Sequence, residues 1–174
     1  MGDHDPNSAS IEWWLQRLLR HQTVLTIAAA ESLTGGGVGS RLTRVAGSSS
    51  YMQGSIVAYS NYAKAHLLGV PEDVLRSWGA VSGPCAEAMV AGALRAFAAD
   101  VAVATTGIAG PGGATARKPL GLVYIAAGTT TRVRVEEHVF PGDRAAVTAA
   151  AVERALAMLL AAVEEALAGR DAGR

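Results

Sequence analysis

The chain carries, at residues 23–37, the sequence Thr23-Val24-Leu25-Thr26-Ile27-Ala28-Ala29-Ala30-Glu31-Ser32-Leu33-Thr34-Gly35-Gly36-Gly37. Its first five residues are apolar and β-branched, which predicts a buried strand. After the glycines, apolar residues recur at helical spacing at Val38, Leu42 and Val45. Residues 31–36 are therefore predicted to form a strand-to-helix turn. Such a turn puts Ser32 at the carboxyl end of a strand and leaves backbone N–H groups free to bind an anion.

This glycine-rich turn supports two interpretations. A hydroxyl beside anion-binding N–H groups suits a nucleophile with an oxyanion hole, or a phosphate cradle. Alternatively, the turn is only a capped helix start, with Ser32 or Thr34 as the N-cap. The glycines do not match the Walker motif or the dinucleotide fingerprint. The turn taken alone leaves both interpretations open.

Length and composition predict one domain, at residues 10–169, with loose tails at 1–9 and 170–174. The 174 residues are 50% hydrophobic and carry 15 basic and 15 acidic side chains. This balanced charge gives no support to nucleic-acid binding. The single cysteine, Cys85, excludes an internal disulfide and favours a reducing compartment. With no signal-peptide pattern and no apolar run judged long enough for a bilayer, we expect a cytoplasmic protein without a membrane partner.

Strand and helix patterns alternate along the chain. Helices are predicted from Ser10, after the Ser32 turn, from Ser60 or Asn61, from Pro71, from Ser82 and from Asp143. Further strands are predicted at 52–59, 100–105, 120–128 and 132–140, the last two as a hairpin. This order predicts a three-layer α/β/α domain with a mixed, mostly parallel sheet plus a C-terminal hairpin and helix. Ligands bind such sheets beyond the carboxyl ends of the strands, where the Ser32 turn and the second glycine turn, at 106–113, should meet.

Amide hydrolysis needs a nucleophile, a base and a site for the oxyanion. Ser32 is the nucleophile candidate by position, and Ser48 competes with it. Each of the four histidines (His4, His21, His66 and His138) is better explained as a surface residue, and no pair has metal-ligand spacing. Lysine is scarce, with only Lys64 and Lys118 against thirteen arginines. Lys64 is the remaining base candidate, since burial or a nearby cation can lower the pKa of a lysine enough.

Three other features have a functional and a structural interpretation. The serines at 48–50 either cap the next strand or contact a bound phosphate. Arg144 begins a helix, where a cation is unfavourable against the helix dipole, and this favours an anionic partner. Tyr59 ends a strand and either hydrogen-bonds a lysine, stacks on a ring or packs in the core.

Seven segments in register resemble the CinA C-terminal domain family: 30–36, 46–49, 59–64, 79–82, 106–113, 118–121 and 142–144. The resemblance covers roughly residues 10–165. It implies an amidohydrolase that converts nicotinamide mononucleotide to nicotinate mononucleotide and ammonia, with water as co-substrate and no metal or cofactor. It also implies that Ser32 is the nucleophile and Lys64 the general base.

By the same motifs, Tyr59 supports catalysis, and the following residues hold the substrate: Glu31, Thr34, Gly35, Gly36, Ser48, Ser49, Thr106, Gly107 and Arg144. Backbone N–H groups from Thr34 to Gly36 are expected to form the oxyanion hole. Two features depart from the family. Leu33 stands where a cysteine is usual, so this position serves packing, and residues 114–117 lack the usual serine and acidic residues.

Full-length CinA proteins carry a further N-terminal domain, and we expect this chain to be the stand-alone form. The apolar helix at 11–19 favours a homodimer. The alternative function is a non-catalytic module that binds a nucleotide or a partner in competence or DNA damage. The altered 114–117 loop and the tryptophans Trp13 and Trp14 favour that alternative.

Overall fold

The computed structural model describes residues 10–21 and 25–171. The helices are α1 (Ile11–His21), α2 (Gly37–Thr43), α3 (Asn61–Leu68), α4 (Glu72–Ser77), α5 (Gly83–Phe97) and α6 (Arg144–Asp171). The strands are β1 (Ile27–Glu31), β2 (Met52–Val57), β3 (Val101–Gly107), β4 (Leu122–Gly128) and β5 (Val133–Val139). The predicted tail at 1–9, with His4, lies outside the described residues, as do Thr23, Val24 and residues 172–174.

The strands form a single sheet in the order β2-β1-β3-β4-β5. β1 is parallel to both β2 and β3, whereas β3–β4 and β4–β5 are antiparallel pairs. Four of the five strands therefore run in one direction, and the predicted mixed, mostly parallel sheet with a C-terminal hairpin is confirmed. Because β1, β2 and β3 are parallel, their carboxyl ends meet at one edge of the sheet.

Helices cover both faces of the sheet. On one face α1, α2 and α6 pack around a core that includes Ile27, Leu42 and Leu156. On the other face α3, α4 and α5 pack around Ala28, Leu68 and Met89. Ile27 and Ala28 are adjacent in β1 and point into opposite cores, as strand geometry requires. The three-layer α/β/α architecture is confirmed.

The first strand lies later in the chain than predicted. It was expected at 23–27, but β1 runs Ile27–Glu31 with all five residues buried. Alanine favours helices in isolation, but here three alanines occupy the centre of a sheet that is covered on both faces. Small side chains there let both helical layers approach the sheet, so burial overrides intrinsic propensity.

The first and last helices pack together. In α1, Leu15 and Leu19 are buried in the core that α6 shares. The apolar stripe that suggested a homodimer is therefore used within the protomer, and the homodimer stays a prediction without that support. The last helix also continues to Asp171, so the predicted tail at 170 begins too early.

By length and composition alone, α6 could cross a membrane, contrary to the sequence expectation that no apolar run would suffice. It packs on β3, β4, α1 and α2 and buries one face, including Val147, Leu156 and Val163. This one-sided burial is typical of a core helix in a globular domain, which passes the same compositional test.

Candidate active site

The Ser32 turn lies at the sheet edge where the parallel strands end. The Ser32 backbone N–H donates to the Thr105 carbonyl at 3.0 Å, which fixes the serine beside the end of β3. Ser32 is buried, with 7% of its surface exposed. Gly35 and Gly36 have φ angles of 58° and 99°, a region that side chains with a Cβ rarely adopt. Glycine is therefore needed for the chain to turn from β1 into α2 within five residues.

The carboxylate of Glu31 organises this turn. It accepts hydrogen bonds from the backbone N–H groups of Gly36, Val38 and Gly39 at 2.9–3.0 Å. It also accepts from the hydroxyls of Thr34 and Ser55, both at 2.8 Å. Glu31 is fully buried, so its predicted role as a substrate-binding residue is wrong. It supplies the cap for α2 that the sequence analysis had assigned to Ser32 or Thr34.

Lys64 lies in α3, the helix that follows β2, and its side chain extends to Ser32. Ser60 caps α3 by accepting from the Ala63 N–H at 3.0 Å, so α3 begins immediately beyond the end of β2. Side chains in a helix tilt toward its N-terminus. The Lys64 side chain therefore returns to the sheet edge, where its Nζ lies 2.8 Å from the Ser32 Oγ. The structure thus brings together two residues that are 32 positions apart in the chain.

Lys64 has the environment that a neutral amine needs. The residue is 1% exposed, and its Nζ also donates to the carbonyls of Ala58 at 2.9 Å and Tyr59 at 3.4 Å. Burial lowers the pKa of Lys64 below its ordinary value, and the nearby Cys85 opposes this only in part. A neutral amine has two N–H groups for the two carbonyls and one lone pair for the Ser32 hydroxyl. The geometry therefore fits a base aimed at the serine.

The free backbone donors differ from those predicted. Gly35 N–H donates to the Ser32 carbonyl and Gly36 N–H to the Glu31 carboxylate, so neither is available for an oxyanion. Within the part of the chain that the structure describes, the N–H groups of Leu33 and Thr34 have no hydrogen-bond acceptor. The N–H of the residue after the nucleophile is a recurrent oxyanion donor in serine hydrolases. Of the predicted oxyanion donors at 34–36, only Thr34 has a free N–H, and the N–H of Leu33 is free beside it.

Tyr59 and Arg144 form a bridge at the mouth of the site. The Arg144 guanidinium donates to the Tyr59 hydroxyl and to the Gly110 carbonyl, both at 2.9 Å. Tyr59 is 61% exposed, so it is not a core residue, and its hydroxyl contacts Arg144 rather than Lys64. Only the Tyr59 carbonyl faces the lysine. Arg144 is the first residue of α6. Its two hydrogen bonds therefore connect the start of that helix to the end of the sheet where the glycine-rich turns lie.

Ser48 and Ser49 lie apart from Ser32 in the protomer, in a groove that they line together with Gly36 and Val57. They precede β2, and the Tyr51 carbonyl beside them accepts from the N–H of Ile27, the first residue of β1. Ile27 and Ser32 are separated by the length of β1, about 15 Å. The predicted contact of these two serines with a substrate, and the competition of Ser48 as nucleophile, stay predictions, and Lys64 contacts Ser32.

Three further residues that were predicted to bind the substrate make contacts within the protein. The Thr34 hydroxyl bonds Glu31 and lies 2.7 Å from the Thr105 hydroxyl, and the Thr106 hydroxyl donates to the Ala80 carbonyl at 2.7 Å. Thr34 is 5% and Thr106 1% exposed, and both hydroxyls are bonded within the protein, so their predicted contacts with a substrate stay predictions. A Cβ on Gly107 would lie 2.7 Å from the Leu122 carbonyl, so this glycine allows β3 and β4 to pack closely.

The remaining candidates behave as surface residues. His66 stacks on Tyr62, and His138 stacks on Phe140 and pairs with Glu136. The structure describes the backbone of His21 only. Among the described residues, no cluster of three His, Cys, Asp or Glu side chains is arranged to hold a metal ion. A cavity of about 630 Å³ between α6 and the β4–β5 hairpin lies at the opposite end of the sheet and does not include Ser32.

Sequence reasoning missed the residues that support the dyad. The Ala58 carbonyl binds Lys64, Ser55 binds Glu31, and Thr105 anchors both Ser32 and Thr34. Ala58 lies just before the end of the predicted strand at 52–59, and Thr105 ends the predicted strand at 100–105. Both of these strands are parallel to β1. Parallel strand ends share one edge, and this was the available signal.

The model of the CinA C-terminal domain family matches residues 9–163. The chain belongs to this family. It is 50% identical over 141 residues to a CinA-like protein of Mycobacterium sp. (strain JLS), and 46% identical over 138 residues to a putative competence-damage inducible protein of Caldicellulosiruptor saccharolyticus. The matches cover 80% and 79% of this chain. They cover only 34% of each relative, so this CinA-family chain spans about a third of the length of those proteins.

Solved structures of CinA-family proteins have the same fold. The competence/damage inducible protein CihA from Agrobacterium tumefaciens is 39% identical with a TM-score of 0.81, and the match covers 92% of this chain and 98% of that chain. A CinA superfamily protein from Klebsiella pneumoniae is 31% identical with a TM-score of 0.83, covering 89% and 96%. These matches confirm the predicted family and fold class.

Proposed function

We propose that this CinA-family chain is an amidohydrolase that converts nicotinamide mononucleotide and water to nicotinate mononucleotide and ammonia through a Ser32–Lys64 dyad. The observation that carries the proposal is the 2.8 Å separation between the Lys64 Nζ and the Ser32 Oγ. It is supported by the burial of the lysine and by the free N–H groups beside the serine. The nucleotide substrate is the one that the family resemblance implies.

In the first half of the reaction, the Ser32 Oγ attacks the carboxamide carbon and the neutral Lys64 amine takes the hydroxyl proton. The negative charge that develops on the carboxamide oxygen is stabilised by the N–H groups of Leu33 and Thr34. Lys64, now an ammonium group, returns the proton to the leaving nitrogen. The C–N bond breaks, ammonia departs and an ester to Ser32 remains.

In the second half, water replaces ammonia. Lys64 takes a proton from a water molecule as its oxygen attacks the ester carbon, and the same two N–H groups stabilise the oxyanion. The ester bond breaks, the proton passes from Lys64 to the Ser32 Oγ, and the acid product leaves. The dyad is regenerated without a metal or cofactor in any step.

Arg144 is placed to bind the substrate's phosphate. It is exposed at the mouth of the site and uses only part of its five-donor guanidinium on Tyr59 and Gly110. Arginine pairs well with phosphate because its donors match the geometry of phosphate oxygens. A Cβ on Gly35 would meet no atom within 4 Å, so the chain leaves open space beside the backbone there.

The experiment is an assay of ammonia and nicotinate mononucleotide from nicotinamide mononucleotide with the purified chain. Ser32→Ala and Lys64→Ala are each expected to lose about a thousandfold or more in kcat because they act as one unit. Ser40→Ala, on the exposed face of α2, is the matched control and keeps the wild-type rate. Wild-type turnover no higher than that of Ser32→Ala contradicts the proposal.

The same assay tests the non-catalytic alternative. A binding measurement by calorimetry with nicotinamide mononucleotide accompanies it. Tight binding without product after long incubation would favour a nucleotide-binding module. Slow turnover of this amide with faster turnover of another nucleotide amide would keep the dyad and change the substrate.

A further inference from the structure

Two segments that resemble the family, at 79–82 and 118–121, have no role in the proposed chemistry. The structure places them in contact. The Lys118 Nζ donates to the carbonyls of Trp78 at 2.8 Å and Val81 at 2.7 Å. One of the chain's two lysines is thus used to hold a backbone loop, here called the 78–82 loop.

Every carbonyl from Trp78 to Val81 accepts a side-chain hydrogen bond. Between the two Lys118 bonds, the Gly79 carbonyl accepts from the Ser82 hydroxyl at 2.7 Å and the Ala80 carbonyl from the Thr106 hydroxyl at 2.7 Å. Gly79 has a φ of 78°, so the loop follows a path that a residue with a Cβ would resist. Two of the four bonds come from one flexible side chain outside the loop.

Two indirect links connect the 78–82 loop to Ser32 and Lys64, one through Thr106 and one through α5. Thr106 follows Thr105, whose carbonyl holds the Ser32 N–H. At its other end, Ser82 caps α5 by accepting from the Cys85 N–H at 3.3 Å. α5 packs against α3, the helix that carries Lys64, and buries Cys85 completely. The loop therefore sets the position of the helix end behind the catalytic lysine.

We infer that Lys118 is a positioning residue that holds the 78–82 loop and the start of α5 closed against the dyad. The inference rests on the proposed function for its effect on catalysis, but its structural part does not. When the ammonium is removed, two loop carbonyls lose their donor. The 78–82 loop then opens locally, the start of α5 packs less tightly beside Lys64, and Cys85 becomes accessible to solvent.

Cys85 provides a readout that is independent of activity. It is the chain's only cysteine, and it is buried in the first turn of α5. Thiol labelling with Ellman's reagent under native conditions therefore reports opening at this place. Loss of the Lys118 charge by itself raises the pKa of the thiol and slows labelling, so faster labelling indicates opening. Lys118→Met is expected to label about ten times faster than the wild type, because a local opening needs less free energy than global unfolding.

Two controls define the comparison. Arg117→Met removes the adjacent exposed cation and is expected to label at the wild-type rate. Lys118→Arg keeps donors for both carbonyls and is expected to restore most of the protection. Urea denaturation of each variant gives the labelling rate that global unfolding alone would produce.

In the amidase assay, Lys118→Met is expected to raise KM about tenfold with a smaller change in kcat. The reason is that a displaced 78–82 loop would weaken substrate binding more than it would disturb the contact between Ser32 and Lys64. The inference is overturned if Cys85 in Lys118→Met is labelled at the wild-type rate. It is also overturned if the labelling is no faster than the global unfolding of that variant predicts. If the wild type lacks amidase activity but Lys118→Met still labels faster and Lys118→Arg does not, the proposed function fails and the positioning role stands.

Discussion

At the scale of single residues, the environment of Lys64 decides the chemistry. Its amine is buried with two carbonyls and one hydroxyl as partners, and burial lowers its pKa from 10.5. Cys85 is the only charged or titratable neighbour that affects this pKa appreciably among the described residues. A lysine in water would be protonated at neutral pH and could not accept the serine's proton.

If the chain has the proposed amidase activity, the lowered pKa of Lys64 predicts an acid limb in its pH profile. The base form of Lys64 is required, so kcat/KM should fall as pH decreases through a pKa that burial holds below 10.5. Lys64→Arg should be inactive at every pH, because a guanidinium stays protonated. Measured profiles of kcat/KM between pH 5 and 10 test this, and an acid limb near 10.5 would contradict it.

The same shift predicts how stability depends on pH. The folded state has the lower lysine pKa, so between that value and 10.5 the unfolded state binds more protons. The free energy of unfolding should therefore rise with pH across this window, and Lys64→Met should remove that part of the slope. Urea denaturation of both proteins at several pH values measures the difference. Equal slopes would show that Lys64 is charged in the folded protein.

At the same scale, Glu31→Gln tests the turn. An NH₂ group replaces one of the two carboxylate oxygens, and it cannot accept from the backbone N–H groups that bond that oxygen. We expect a loss of about 2–4 kcal/mol in the free energy of unfolding, because several buried hydrogen bonds to a charged group are weakened. Ser55→Ala, which removes only one of the five donors, should cost less than half of that. Equal costs for the two variants would contradict the central role of the carboxylate.

At the scale of secondary-structure elements, the packing of α3 on α5 sets the position of Lys64. A Cβ on Gly92, within α5, would lie 2.1 Å from the Leu68 carbonyl at the end of α3. The two helices therefore approach as closely as backbone atoms allow. A shift of α3 by even about 1 Å moves Lys64 away from its contact with Ser32, and misplacements of that size are costly in catalysis.

Gly92→Ala is accordingly expected to destabilise the protein by about 1–3 kcal/mol and to lower kcat as well. Alanine favours helices over glycine, so the loss must come from the contact with Leu68. Gly169→Ala, in α6 with no atom within 4 Å of the added Cβ, is the matched control and should not be destabilised. Thermal unfolding and the ammonia assay measure both effects. A Gly92→Ala protein as stable and active as the wild type would contradict this account.

At the scale of the whole molecule, a partly buried ion-pair network ties three helices together. Arg41 in α2 donates to Glu12 in α1 and to Glu153 in α6. Burial raises the pKa of Glu12, but the hydrogen bonds and charge of Arg41 outweigh it and hold that pKa below 4.5. The network fixes α1 on the side of the sheet away from Lys64.

Arg41→Met should therefore destabilise the whole domain by about 2–4 kcal/mol, because Glu12 is left buried and without its partner. The folded-state pKa of Glu12 lies below its unfolded value in the wild type, so this stabilisation is present above pH 4.5 and is lost as pH falls further. Urea denaturation at pH 7 and pH 4 measures it. KM should not change, and a large change in KM would mean that the network also shapes the site.

The sequence by itself determined the order of elements, the three-layer class, the glycine turn and the family, because periodicity, caps and turn residues act over a few positions of the chain. Even the two dyad residues could be named. Only the tertiary structure decided that Lys64 contacts Ser32, that Glu31 caps α2, and that Ser48 and Ser49 lie beside the start of β2. The register of the parallel strands sets the distances between these side chains. That register depends on how two helical layers pack on the sheet, in which β1 is mostly alanine. No local pattern encodes that packing, so the roles of buried polar groups could be assigned only when their hydrogen-bond partners were known.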